Sequence, residues 1–176
     1  MSDTTAAPDM HTRSLPTEQH TLLKPFEGTF RATVTLHFGP DNSHTSTGTM
    51  VNEFDLDGRY LKQTYTGDPM PNPDGDPFPG FQGRGYWGYS TITNEYEGFW
   101  IDTASTAMAT ESGSVDDAGK VWTMTGDQPN PCDGPASLPK KTIITLVDDN
   151  SHTMESFITM PDGNEVKTMH IDYKRA

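Results

Sequence analysis

The stretch Gly28-Thr29-Phe30-Arg31-Ala32-Thr33-Val34-Thr35-Leu36-His37-Phe38 decides the fold class. Phe30, Ala32, Val34, Leu36 and Phe38 fall on one side, and Arg31, Thr33, Thr35 and His37 on the other. A period of two is the mark of a strand with one buried and one solvated face. Working outward, the chain repeats this pattern between turn signals. Gly39–Ser43 turns into a strand over Thr45–Leu56, and Asp57-Gly58 turns into Arg59–Thr66. Gly80–Thr91 and Tyr96–Thr103 form a hairpin around Thr93-Asn94-Glu95. Thr106–Val115 and Lys120–Gly126 flank a turn at Asp116–Gly119. Lys140–Asp148, His152–Met160 and Glu165–Arg175 follow, with turns at Asp149-Asn150 and Asp162-Gly163. Short strands at even spacing joined by tight turns predict an all-β, antiparallel up-and-down barrel of about ten strands, because closure leaves no exposed edge.

Two segments depart from the strand pattern. Thr17–Gly28 carries Leu22, Leu23 and Phe26 at helical spacing behind Thr17, which predicts a short N-terminal helical segment of one or two turns. Residues 1–16 are small, polar and Thr-rich, and are expected to form a disordered tail before a single β-barrel domain over 17–176. They lack a basic stretch followed by an apolar one, so no signal peptide is expected. Gly67–Pro79 holds five prolines, which cannot donate to a ladder, and predicts a loop. Gln128–Leu138 is a second loop.

Composition narrows the function. Leu, Ile, Val and Phe make up only 28 of 176 residues, a disorder flag in a chain of net charge −13. Nine Met, three Trp, six Tyr and 25 β-branched Thr outweigh it in favour of strands. Twenty-five acidic against twelve basic residues give no electrostatic footprint for nucleic acid or an anionic membrane. No apolar run approaches the roughly 20 residues of a membrane-spanning helix. Cys132 is the single cysteine, so no intrachain disulfide forms, and a cytoplasmic location is the default.

No catalytic signature stands out. Gly83, Gly85 and Gly88 match a dinucleotide fingerprint, but no helix N-terminus follows to hold a pyrophosphate. They read instead as glycines that bend a barrel strand or make room for Trp87 and Tyr89. Asp68, Asn72, Asp74 and Asp76 lack the order of a calcium loop and read as a solvated lid. The six histidines form no zinc pattern. His170 is the candidate for an axial haem ligand, and parity opposes it: if Met169, Ile171 and Tyr173 face inward, His170 faces solvent. No metal and no cofactor is expected.

The residues also resemble a known family. Gly28-Thr29-Phe30 resembles the start of lipocalin-type barrels, and Arg175 matches the arginine that stacks on that aromatic ring. The chain is similar to an uncharacterised bacterial family known as domain of unknown function 1579. The matching segments include Asp57–Leu61, Pro79-Gly80-Phe81, Trp100–Thr103, Asp162–Lys167 and Met169–Arg175. It departs from the family pattern at Ser90 and His170. The resemblance implies a lipocalin-like barrel and no assigned reaction.

The aromatic density and the carboxylate of Asp102 beside Trp100 point to a pocket. The expected function is binding a small, mostly apolar molecule inside the barrel. The mouth is bordered by the Pro-rich loop, and Phe81, Tyr89, Trp100, Asp102, Glu155 and Tyr173 line the site. An inward Asp102 would need a partner such as Lys141, Arg84 or a ligand donor. The alternatives are an enzyme (cyclase, isomerase or hydrolase) using Asp102 or Glu155 with a raised pKa, and a filled barrel acting through a homodimer or a protein partner.

Overall fold

The computed structural model describes residues 10–39, 41–69, 80–130 and 135–176. Ten antiparallel strands close into one barrel: β1 (Gly28–Gly39), β2 (Asn42–Asp55), β3 (Tyr60–Gly67), β4 (Gln82–Ser90), β5 (Glu95–Asp102), β6 (Ala109–Val115), β7 (Val121–Pro129), β8 (Ser137–Asp148), β9 (Ser151–Thr159) and β10 (Glu165–Arg175). Each pairs with its sequence neighbours, and β1 pairs with β10 to close the ring. The tight turns use the residues that accept a left-handed backbone: Asp57 and Gly58, Asn94, Gly119 and Gly163 all have positive φ. The predicted strands are all present, with ends displaced by a few residues where a hairpin ladder runs into its turn.

Alternation fixes what faces the lumen. Phe30, Ala32 and Val34 on β1 are buried, and register places Tyr173 beside Ala32 and Ile171 beside Val34. The core divides into two clusters. One holds Leu23, Phe26, Leu61, Trp87, Tyr96, Trp122 and Met124 at the end where the helical segment lies. The other holds Phe30, Val34, Met50, Tyr65, Ile171 and Tyr173, nearer the opposite end.

The helical segment is α1 (Met10–Arg13), α2 (Glu18–Thr21) and a 3-10 turn over Lys24–Phe26. Thr17 starts α2, its backbone N–H donating to His20 Nδ1 at 2.9 Å. The 3-10 turn pushes Phe26 into the barrel, where its ring meets Trp87 at 5.2 Å and Trp122 at 5.1 Å. This plugs one end. The expected tail is described only from Met10, and there Arg59 Nε donates to Ser14 O at 2.9 Å.

Arg175 locks the plug. Its guanidinium sits 4.6 Å from the Phe30 ring, the stack that the resemblance implies. It also donates to the carbonyls of Glu27 and Pro25, each at 2.8 Å, and of Asp149 at 3.0 Å. Gly28 is needed twice here. Its φ is +125°, and a β-carbon would stand 2.4 Å from the guanidinium. Arg175→Lys keeps the charge and loses the planar fork, so urea denaturation is expected to show a loss of about 2 kcal/mol. An unchanged midpoint would refute the clasp.

Candidate functional site

The end opposite the plug has no helical segment against it among the described residues. It carries the ends of β1, β3, β5, β7 and β9 and the starts of β2, β4, β6, β8 and β10. The Pro-rich loop itself, with Asn72, Asp74 and Asp76, lies outside the described residues, as does Cys132. The loop's flanks are described and clasped. Gly67 N–H donates to Phe81 O at 2.7 Å and Asp68 N–H to Thr47 O at 2.8 Å. The Asp68 carboxylate takes an ion pair from Arg31 and a hydrogen bond from Thr47 Oγ1 at 2.5 Å. Those bonds, Arg31 first, hold it below the usual carboxylate range.

From this mouth inward, the lumen wall mixes apolar side chains with buried polar ones such as Ser156 and Thr142. Leu36, Trp100, Met154 and Met169 pack on the second core cluster but stay only partly buried. At the plugged end, Leu61, Trp122 and Met124 are fully sealed. Trp100 lies flat against Gly83 and Gly85. A β-carbon at Gly83 would stand 2.0 Å from its ring, and one at Gly85 would stand 2.8 Å away. The glycines therefore serve Trp100 rather than Trp87 and Tyr89, and no helix follows them.

One ion pair stands on this wall. Register sets Glu111 on β6, Gly126 on β7 and Lys140 on β8 in a single inward-facing row. Without a side chain at Gly126, Glu111 reaches across β7. Its Oε2 lies 3.3 Å from Lys140 Nζ and accepts from Thr142 Oγ1 at 2.8 Å. Thr142 is 1% exposed, so the bond lies inside the barrel. Sequence reasoning missed all three residues. Lys140 and Thr142 sit on a strand whose alternation was visible, but only the register across Gly126 joins them to Glu111.

The six expected lining residues separate. Trp100, Asp102, Tyr89 and Tyr173 have inward parity. Asp102 sits at the rim, where its Oδ1 accepts from Ala104 N at 2.9 Å and caps the strand end. Neither suggested partner reaches it: Lys141 pairs with Glu165 at 2.6 Å, and Arg84 donates to the carbonyls of Tyr65 and Gly83. Tyr89 belongs to the plugged end, edge-on to His20 at 5.8 Å and Tyr96 at 5.1 Å. Phe81 stands at the rim against Tyr65 at 5.8 Å and is 38% exposed. Tyr173 stacks on His152 at 4.3 Å, and burial raises the pKa of its phenol.

Glu155 is corrected outright. It pairs in register with His170 on the outer face, bonds Lys167 and lies 3.4 Å from His170. Those contacts, Lys167 first, lower its pKa, where burial would have raised it. β9 carries polar residues on both faces, so its alternation does not report which side is inward. His170 points outward as parity requires, with Asp172 at 3.3 Å. The inward histidine is His152, which is 5% exposed and neutral, its pKa pushed down to about 4 by burial and by the Arg175 charge. Among the described residues no cluster of three metal-ligating side chains occurs, and no helix is long and apolar enough to cross a membrane.

A family model described as a protein of unknown function, DUF1579, matches residues 15–175. Among curated proteins none matches the sequence. Among solved structures, an S-type phycobiliprotein lyase from Guillardia theta superposes with a TM-score of 0.55 at 9% identity, over 96% of this chain and 98% of that one. A redesigned β-barrel matches at a TM-score of 0.39 and 16% identity, over 90% of this chain and 95% of its own.

Proposed function

The chain belongs to the DUF1579 family, and from that premise we propose that it binds a small, mostly apolar molecule in the open half of its lipocalin-like barrel. The observation that carries this reading is the apolar inner wall away from the plug: Leu36, Trp100, Met154 and Met169 face inward and are only partly buried. Barrel diameter grows with strand number, and side chains just fill a barrel of roughly eight strands. A barrel of ten strands is of the size that encloses one small ligand or fills with its own side chains. The three methionines Met50, Met154 and Met169 supply a wall that adjusts to a ligand's shape. Glu111, Lys140 and Thr142 supply the few placed polar groups that orient a bound molecule. The lyase lends the architecture alone, because 9% identity carries no chemistry across.

The test is uptake of anilinonaphthalene sulfonate, an anionic dye whose aromatic rings report apolar sites, beside native mass spectrometry of the purified protein. One dye per chain is expected, with quenching of tryptophan emission from Trp100. Met169→Trp fills the mouth and is expected to weaken uptake by about tenfold or more at an unchanged melting temperature. A protein that carries no small molecule and takes up no dye would overturn the reading.

A further inference from the structure

The outer wall carries a second concave surface, whose lining also touches Glu111 and Gly126 of the inward-facing row. It has a volume of about 760 Å³ and runs across β3 to β7. Alternation puts polar residues on the outside of a barrel, but here three aromatic rings stand together. Tyr86 and Phe99 are directly opposed across β4 and β5, with centroids 5.7 Å apart. Tyr60 meets Tyr86 edge-on at 6.4 Å. Leu56 and Met108, each 59% exposed, extend the apolar surface at its margins. Large exposed apolar side chains gathered in one groove mark an interaction site, whereas scattered ones do not.

The charged residues that line the groove are all acidic, and one lysine, Lys62, stands at its edge. Glu95, Glu97 and Asp127 border it, and among its described lining residues there is no Lys, Arg or His. Asp55 adds a fourth carboxylate at its edge, accepting from the Tyr86 hydroxyl at 2.8 Å. That bond, ahead of the Leu56 backbone bond, keeps Asp55 below the usual carboxylate range. Lys62, beside Tyr86 in register, leans instead toward Glu53 at 3.9 Å.

We propose that this groove docks a basic segment of a partner protein. An arginine or lysine lies over the Tyr60, Tyr86 and Phe99 rings within reach of Glu97 and Asp127, and an apolar neighbour rests on Leu56 and Met108. Aromatic faces and carboxylates both attract a cation, and a guanidinium stacks on the rings as well. Each copy of this chain carries −13, so a symmetric pairing of the groove would set its acidic rim against itself. Tyr60 is 41% exposed and the margins more so, which leaves too open a surface to enclose a small molecule. The closed barrel offers no strand edge, so recognition rests on side chains.

An acetylated octapeptide of alternating Arg and Leu is the probe, read by isothermal titration calorimetry at two salt concentrations. The wild-type chain is expected to bind one peptide. Phe99→Ala and Glu97→Lys are each expected to weaken binding by about tenfold. Tyr60→Ser, also outside the core, provides a second test of the aromatic floor. Asp172→Lys makes the same charge change on the opposite wall and is expected to weaken binding less than about threefold. Equal losses from Glu97→Lys and Asp172→Lys, with none from Phe99→Ala or Tyr60→Ser, would reduce the effect to general charge attraction and overturn the proposal. So would a concentration-dependent dimer abolished by Phe99→Ala, which would give the groove to a second copy. Neither outcome touches the lumen reading, which is read from the loss of dye uptake in Met169→Trp on the inner wall.

Discussion

Trp122→Ala is expected to destabilise the barrel by about 3–5 kcal/mol. The side chain is fully buried, and three rings meet it edge-on: Phe26 at 5.1 Å, Trp87 at 5.6 Å and Tyr96 at 6.0 Å. Edge-to-face contacts add to the burial of each ring. Tyr96 cannot easily close the gap, because its hydroxyl is tied to Gln19 O at 2.9 Å and its pKa is pushed up to about 12, chiefly by burial. Phe26 is held by the backbone of the 3-10 turn. The surrounding groups are anchored from different elements, so the cavity stays open. For a domain of this size such a loss lowers the melting temperature by roughly 10 °C. Trp122→Phe, which keeps one ring, is expected to lose about half as much. The check is urea denaturation followed by circular dichroism. A loss below about 1 kcal/mol for the alanine variant would mean that the plug does not hold the closed end.

The second large effect is on pH. His152 is 5% exposed, and its pKa falls to about 4 against 6.5 for a free imidazole. In the unfolded chain it takes up a proton below about 6.5, while in the barrel it stays neutral. The unfolded state therefore binds more protons across this window, and stability falls as the pH falls from about 6.5 toward 4. The full difference amounts to about 3 kcal/mol. Carboxylates whose pKa the fold lowers, among them Asp68, Asp116 and Asp148, lose their contributions at lower pH still, so the two windows separate. Urea midpoints at several pH values between 7 and 4 measure the slope. His152→Phe keeps a ring against Tyr173 and is expected to flatten it. An identical slope in that variant would assign the acid sensitivity elsewhere.

How much was legible in the sequence varies with the range of the contact. The alternation from Gly28 to Phe38 placed Phe30, Ala32 and Val34 inward, where they are. The same parity on β10 placed His170 outward, beside Glu155 and Asp172. The inward expectation for Glu155 fails on β9, which alternates weakly: His152 and Ser156 are buried polar residues, while Phe157 lies on the outer face under Lys141. Polarity there does not report side. Asp102 showed a carboxylate in an apolar strand, yet the polar partner it takes is two residues away in its own turn.

The order of ten strands, their tight turns, the helical lead-in and the pairing of Arg175 with Phe30 follow from the sequence alone. They depend on local period, turn chemistry and a resemblance spread over short segments. The Glu111–Lys140–Thr142 group inside and the Tyr60–Tyr86–Phe99 floor outside required the folded barrel. Each joins residues on different strands, and the joining depends on interstrand register, on glycines that clear a path, and on which face closure turns inward. Those are properties of strand pairs and of the closed ring, so no single strand carries them.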